Sequence, residues 1–198
     1  MIKISSGRLK GLGLKAPEGR NTRPTSAARR EALFNIVCNG LGREPRLVLD
    51  LFAGSGALGI EAFSWGASKV VFVESDSKAL ASLRDNIERV AASSSEMAVV
   101  PSGRFHDWSE KLAKLSSFIP FDLVICDPPY EKGLGVKALE ALERSSTTLF
   151  DPEALLILEC SKKEAIPDLK GWNFLKTRVH GAGQLCLYER GSPSQDIS

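Results

Sequence analysis

VLDLFAGSGALG, residues 48 to 59, passes from an apolar run through a glycine loop into a stretch with helical patterning. Gly54, Gly56 and Gly59 make a G-x-G-x-x-G, and Glu74 follows Gly54 by twenty positions. That spacing marks a loop whose backbone approaches a ligand closely, with a carboxylate placed for a ribose. A nicotinamide dinucleotide is one such ligand, but Asp50 argues against it. Pyrophosphate needs the helix N-terminus that the loop opens, and a carboxylate just before it repels the anion. S-Adenosylmethionine carries an ammonium and a sulfonium instead of phosphate, so the same carboxylate is an asset to it, directly or through water.

Working outward, the chain settles into a rhythm. The strand RLVLDLF is followed by the helix ALGIEAFSWG, closed by Gly66, and then by the strand KVVFVE. A helix follows with Leu80, Leu83, Ile87 and Val90 at helical spacing, then the strand EMAVVP and a short helix DWSEKLAKLSSF. The strand FDLVICD, the helix GVKALEALERS and the strand ALLILEC complete it. Apolar strands alternating with amphipathic helices predict an α/β fold, a doubly wound, Rossmann-like and mostly parallel sheet covered on both faces. WNFLKTRVHGAGQLCLYER has no room for a crossover helix, so it predicts a terminal antiparallel hairpin. Ahead of the sheet, MIKISSGRLKGLGLKAP reads as a small β-hairpin. The helix AARREALFNIV follows, capped by Thr25 or Ser26, buried through Leu33, Phe34, Ile36 and Val37, and ended by Asn39-Gly40. The expected organisation is an N-terminal basic extension over 1–45, a sheet domain over 46–190 and a disordered tail over 191–198.

DPPY, Asp127 to Tyr130, directly follows the strand FDLVIC, where a catalytic loop belongs in such a sheet. An exocyclic amine of a nucleobase is a poor nucleophile because its lone pair is delocalised into the ring. The Asp127 carboxylate and the Pro128 carbonyl can both accept hydrogen bonds from it, localising the lone pair and aiming it. Pro128 and Pro129 hold the backbone without needing donors of their own. Tyr130 can stack on a base taken out of its helix. The expected catalytic set is Asp127, Pro128, Pro129 and Tyr130. The expected cofactor set is Asp50, Phe52, Ala53, Gly54, Ser55, Gly56, Glu74 and Ser75. The sulfonium provides the leaving group, so no metal is expected.

The net charge of +2 is unevenly spread. Ten basic residues and three acids up to Arg46 give that segment +7, which leaves −5 for the remainder. This asymmetry predicts a polyanion-binding arm on a near-neutral body. Cys38, Cys126, Cys160 and Cys186 form no C-x-x-C pair, and reduced thiols are expected. His106 and His180 do not stand at metal-ligand spacing. No apolar run is long enough to span a bilayer and no signal-peptide segment opens the chain, so a cytoplasmic protein is expected, with a monomer as the default.

With these motifs in place the sequence resembles the RsmD-type methyltransferases, which modify the N2 amine of a guanine in small-subunit (16S) ribosomal RNA. The likeness runs through ISSGRLKGLGLKAP, RPTSAARREALFNIV, LDLFAGSGALGIEAFSWGA, VVFVESD, FDLVICDPPY and GQLCLYER. RPT followed by REALFN is its most specific part, since unrelated methyltransferases share the glycine loop and PPY. The resemblance implies that Asp50 to Gly56 hold the methionine part of S-adenosylmethionine, Glu74 its ribose, and Asp127 to Tyr130 the target amine. It places Arg23 and Thr25 at the lip of the site, and Arg29 and Arg30 with them facing RNA, within an assembling small subunit. Two departures stand out. Ala27 and Ala28 replace the family's usual acidic and basic pair, and Gly103 and Arg104 stand where many methyltransferases place Asp or Asn for the adenine amine, with Phe105 as a ring-packing candidate. The competing reading keeps the chemistry and changes the substrate to adenine N6 or cytosine N4 in DNA; the chain shows no separate target-recognition domain to support it.

Overall fold

The structure is a computed structural model, and it describes residues 1–16, 27–90, 97–101, 115, 117–129, 133–145 and 148–191. A seven-stranded sheet organises the chain. Its strands are β3 (Leu47–Leu51), β4 (Lys69–Glu74), β5 (Met97–Pro101), β6 (Phe121–Cys126), β7 (Phe150–Ser161), β8 (Trp172–His180) and β9 (Gly183–Arg190). Their spatial order is β5-β4-β3-β6-β7-β9-β8. β3 to β7 are parallel, and β9 runs antiparallel between β7 and β8. This is the doubly wound sheet with a terminal hairpin that the apolar rhythm predicts. β3 and β6 are adjacent, so the order reverses between them and opens a crevice at their carboxyl ends.

Period-2 alternation sends side chains to two separate cores. From β3, Leu49 and Leu51 enter one cluster with Ala138, Leu139 and Leu142 of α4 (Leu134–Ser145). Val48 enters the other, with Leu33, Phe34 and Val37 of α1 (Ala27–Leu41), Ile60 of α2 (Ala57–Ser64) and Leu83 of α3 (Ser77–Val90). Each such fully buried side chain contributes roughly 1.5 to 3 kcal/mol relative to exposure. Asp76 caps α3, its Oδ1 accepting from the backbone N–H groups of Lys78 (3.0 Å) and Ala79 (2.9 Å). α1 does not end at Asn39-Gly40 as the sequence predicts; it runs on to Leu41, and Gly42 takes the positive φ of 64°. Gly40 serves close packing instead, since a Cβ there would stand 2.8 Å from Cδ1 of Leu155 on β7.

The short strands β1 (Ile2–Lys3) and β2 (Gly13–Leu14) pair antiparallel, Ile2 opposite Leu14. Ile2, Ile4 and Leu14 are buried in the same cluster as α1 and α2, so the N-terminal hairpin shares the sheet's core. Glu61 of α2 pins it. Its carboxylate accepts from the Ser5 N–H (2.9 Å), the Ser6 N–H (3.1 Å) and the Ser5 hydroxyl. The expected cap at Thr25 or Ser26, most of the DWSEKLAKLSSF segment and the tail from 192 lie outside the described residues. Among the described residues no helix is long and apolar enough to cross a membrane.

Candidate active site

The glycine loop turns out of β3 at a strained residue. Phe52 is buried and adopts a φ of 61°, a left-handed conformation that costs a bulky side chain roughly 1 to 3 kcal/mol. Gly54 and Gly56 follow with φ of 59° and 78°. The turn is held from β4: the Ala53 N–H donates to the Val73 carbonyl (3.1 Å) and the Gly54 N–H to Glu74 Oε2 (2.7 Å). The other Glu74 oxygen accepts from the N–H groups of Ser75 (2.6 Å) and Asp76 (2.8 Å). Glu74 thus clamps two loops together, and a carboxylate with about four lone-pair sites retains capacity for a ribose hydroxyl. A Cβ on Gly54 would meet only the Phe52 carbonyl, at 4.0 Å, so this glycine borders open space. Ser55 is buried, and its carbonyl accepts from Nδ2 of Asn86 (2.9 Å).

Asp50 lies on the α2 side of the sheet, 1 % exposed, and its Oδ2 accepts from the Gly59 N–H at 2.9 Å. α2 has no side-chain cap at Gly56, and this carboxylate from β3 caps its first turn instead. A protein carboxylate thus already stands at the N-terminal turn of α2, where an incoming anion would meet like charge. Gly59 is required for that contact, because a Cβ there would lie 2.4 Å from Cε1 of Phe72 and 2.8 Å from the Asp50 oxygen. Burial raises the Asp50 pKa to about 7, the Gly59 N–H opposing the rise and the charge of Glu74 adding to it.

Asp127 follows β6 at the crevice, half-buried, its N–H reaching the Leu51 carbonyl at 3.4 Å. Burial raises its pKa well above the ordinary carboxylate range, with the charges of Glu159 and Asp50 adding to the rise. Pro128 is buried and Pro129 exposed. Asp50, Glu74 and Asp127, drawn from three neighbouring strands, bring three carboxyl groups to the carboxyl end of the sheet.

The sequence-derived set is thus partly assembled: Asp50, Phe52, Ala53, Gly54, Ser55, Gly56, Glu74, Ser75, Asp127, Pro128 and Pro129 share this end of the sheet. Tyr130, Arg23, Thr25 and the adenine-binding candidates Gly103 to Phe105 lie outside the described residues, and of Arg29 only the backbone, within α1, is described. Arg30 is a correction. It is 2 % exposed, its Nε donates to Glu61 Oε2 at 2.8 Å, and a guanidinium nitrogen donates to the Lys3 carbonyl, so it ties α1 to α2 and the hairpin instead of facing RNA. Other basic residues of this segment also meet the body: Lys15 pairs with Asp85, Arg43 and Arg46 with Asp122, and Arg8 lies 3.7 Å above the Phe63 ring. Sequence reasoning missed Asn86, which bridges Lys15 and Ser55, and Glu159, an acid at the carboxyl end of an apolar strand, the same signal that singles out Asp50, Glu74 and Asp127.

The chain matches the family model described as Conserved hypothetical protein 95 over residues 2–189. It is 32 % identical over 187 residues to Ribosomal RNA small subunit methyltransferase D of Buchnera aphidicola, covering 94 % of this chain and 92 % of that one. It is 31 % identical over 194 residues to the protein of the same name from Escherichia coli K12, covering 96 % and 90 %. The solved structure of yhhF from Escherichia coli superposes with a TM-score of 0.77 at 30 % identity, covering 96 % of this chain and 97 % of the other. Matched almost from end to end in sequence and in fold, the chain belongs to the Conserved hypothetical protein 95 family, the family of the RsmD-type proteins.

Proposed function

We propose that the protein transfers a methyl group from S-adenosylmethionine to the exocyclic N2 amine of a guanine in small-subunit ribosomal RNA. The observation that carries this reading is the Asp127-Pro128-Pro129 loop standing at the switch point beside the glycine loop, with the first turn of α2 capped by the Asp50 carboxyl. The names of the relatives, ribosomal RNA small subunit methyltransferases, support the substrate class.

The donor set fits S-adenosylmethionine. Asp50 and Glu74 offer carboxyl groups to a ligand with an ammonium and ribose hydroxyls, and Gly54 borders open space where a larger residue would intrude. When bound, the cofactor supplies a methyl group on a positively charged sulfur. Glu74 would accept from a ribose hydroxyl, and Asp50 would complement the ammonium while keeping α2 capped. Asp127 and the Pro128 carbonyl would accept from the guanine amine and localise its lone pair; as the new N–C bond replaces the methyl group's bond to sulfur, the Asp127 carboxylate would take the proton that the nitrogen releases. Positioning and preorganised electrostatics do the catalysis. A bound cation favours the ionised form of Asp50, which burial and the charge of Glu74 disfavour.

Two measurements test the class of reaction. Thermal-shift titration should show stabilisation by S-adenosylmethionine and none by NAD. Methyl incorporation should then be compared on partly assembled small subunits, naked small-subunit RNA and duplex DNA. Label confined to DNA would favour the adenine-N6 or cytosine-N4 alternative.

A further inference from the structure

The register of the sheet brings a second carboxylate to the acceptor loop. Cys126 of β6 stands opposite Leu158 of β7 in a parallel pair, so Asp127 and Glu159, one residue further along, are neighbours across strands about 4.8 Å apart. Alternation puts both on the same face, with Ile125 and Ile157 behind them in the α1-side core. Glu159 is 7 % exposed on a strand otherwise apolar from Ala154 to Cys160. Its charge acts on Asp127 strongly enough to be the main electrostatic contributor there. Two acids side by side in a buried corner repel each other, an arrangement that makes sense where several hydrogen-bond donors are to be received. A cavity of about 270 Å³ borders Glu159 and the two prolines that follow Asp127, lined in part by Pro128, Pro129, Leu158 and Glu159.

We propose that Glu159 determines base specificity, accepting the N1–H of the target guanine while Asp127 accepts from its N2 amine. This rests on the guanine-N2 reading above. The Watson–Crick edge of guanine presents N1–H beside the 2-amino group, two adjacent donors. Adenine and cytosine instead place a ring-nitrogen lone pair beside the exocyclic amine. The Glu159 carboxylate oxygens accept, so they match the guanine N1–H and meet a lone pair in the other two bases. A base flipped out of its helix is read by hydrogen bonds along this edge. Asp127 alone would serve any exocyclic amine; the second carboxylate supplies the discrimination.

The test separates N1–H from the amine. Small-subunit RNA is prepared with the methylated position, mapped first from label incorporation, as either guanine or 2-aminopurine. 2-Aminopurine keeps the 2-amino group but has a lone pair at N1. The wild-type protein should prefer guanine by at least about 10- to 100-fold in kcat/KM, the range expected for one specific base contact. Glu159→Gln, whose amide can donate to that lone pair, should lower turnover on guanine and compress the preference at least about tenfold. Glu159→Asp, keeping the carboxylate, should retain the preference and guards against a variant that misfolds. Equal wild-type rates on the two bases, or a preference unchanged in Glu159→Gln, would overturn the assignment while leaving guanine methylation intact. Label on adenine, or on no guanine at all, would remove the underlying reading and this inference with it.

Discussion

Asp50→Asn isolates the charge at the heart of the cofactor site. Asparagine preserves the size of the side chain and an oxygen for the Gly59 N–H, so α2 keeps its cap. What it removes is a buried carboxyl whose pKa rises from 3.8 to about 7, chiefly through burial. Linkage fixes the sign of the consequence. Between these two values the folded protein holds a proton on Asp50 that the unfolded chain has released, so stability is lost as pH rises through the window. Each pH unit is worth about 1.4 kcal/mol, and the whole window about 4 kcal/mol. From about pH 5 to about pH 8 the wild-type protein should therefore lose about 3 kcal/mol that Asp50→Asn does not lose. Urea unfolding of both proteins at the two pH values measures this as a growing stability difference in favour of the variant. S-Adenosylmethionine should reverse the order at the higher pH, because its positive charge is complemented by the ionised carboxylate and not by the amide. A stability difference that stays constant across pH would refute the buried-charge reasoning, and equal stabilisation of both proteins by the cofactor would refute the ammonium assignment.

Arg30→Ala should destabilise the fold by about 3 to 5 kcal/mol by stranding Glu61, without changing how RNA affinity depends on salt; Arg29→Ala should lower that salt slope by roughly 0.7 to 0.9 if its side chain meets a phosphate, and titrations at several salt concentrations distinguish the two. Asp127→Ala should reduce methyl transfer on the order of 100- to 1000-fold with cofactor affinity largely retained; near-normal turnover would remove the role of this loop. Glu74→Ala should weaken S-adenosylmethionine binding in calorimetry, and more than the lost ribose contact alone requires, since the Gly54, Ser75 and Asp76 N–H groups lose their acceptor together.

Much of this architecture is legible in the sequence because strands such as LVLDL and FDLVIC are apolar on both faces, a pattern that only a sheet covered on both sides explains. The strand-end position of Asp50, Glu74 and Asp127 follows directly. Other roles depend on tertiary partners far away in the chain. Arg30 reads as one of several basic residues on a helix, and only the approach of Glu61 from α2 turns it into a buried tie. Asn39-Gly40 carries the local signature of a helix end, yet α1 continues because a glycine at 40 lets the helix lie close on Leu155. Asp50 was legible as a charge near the ligand, whereas its second task, capping α2, requires the fold of the loop to be known. Glu159 carries the same strand-end signal as Asp50, Glu74 and Asp127 but no surrounding motif, and only the register that sets it beside Asp127 gives it a role.

The most direct measurement is the nucleoside composition of small-subunit ribosomal RNA from cells with and without this protein, followed by addition of the purified protein and methyl-labelled S-adenosylmethionine to RNA from the deficient cells. The account predicts that one N2-methylguanosine disappears in the deficient cells and that the label restores it at the same nucleotide. An unchanged N2-methylguanosine content, or label recovered in N6-methyladenosine or N4-methylcytidine, would contradict it.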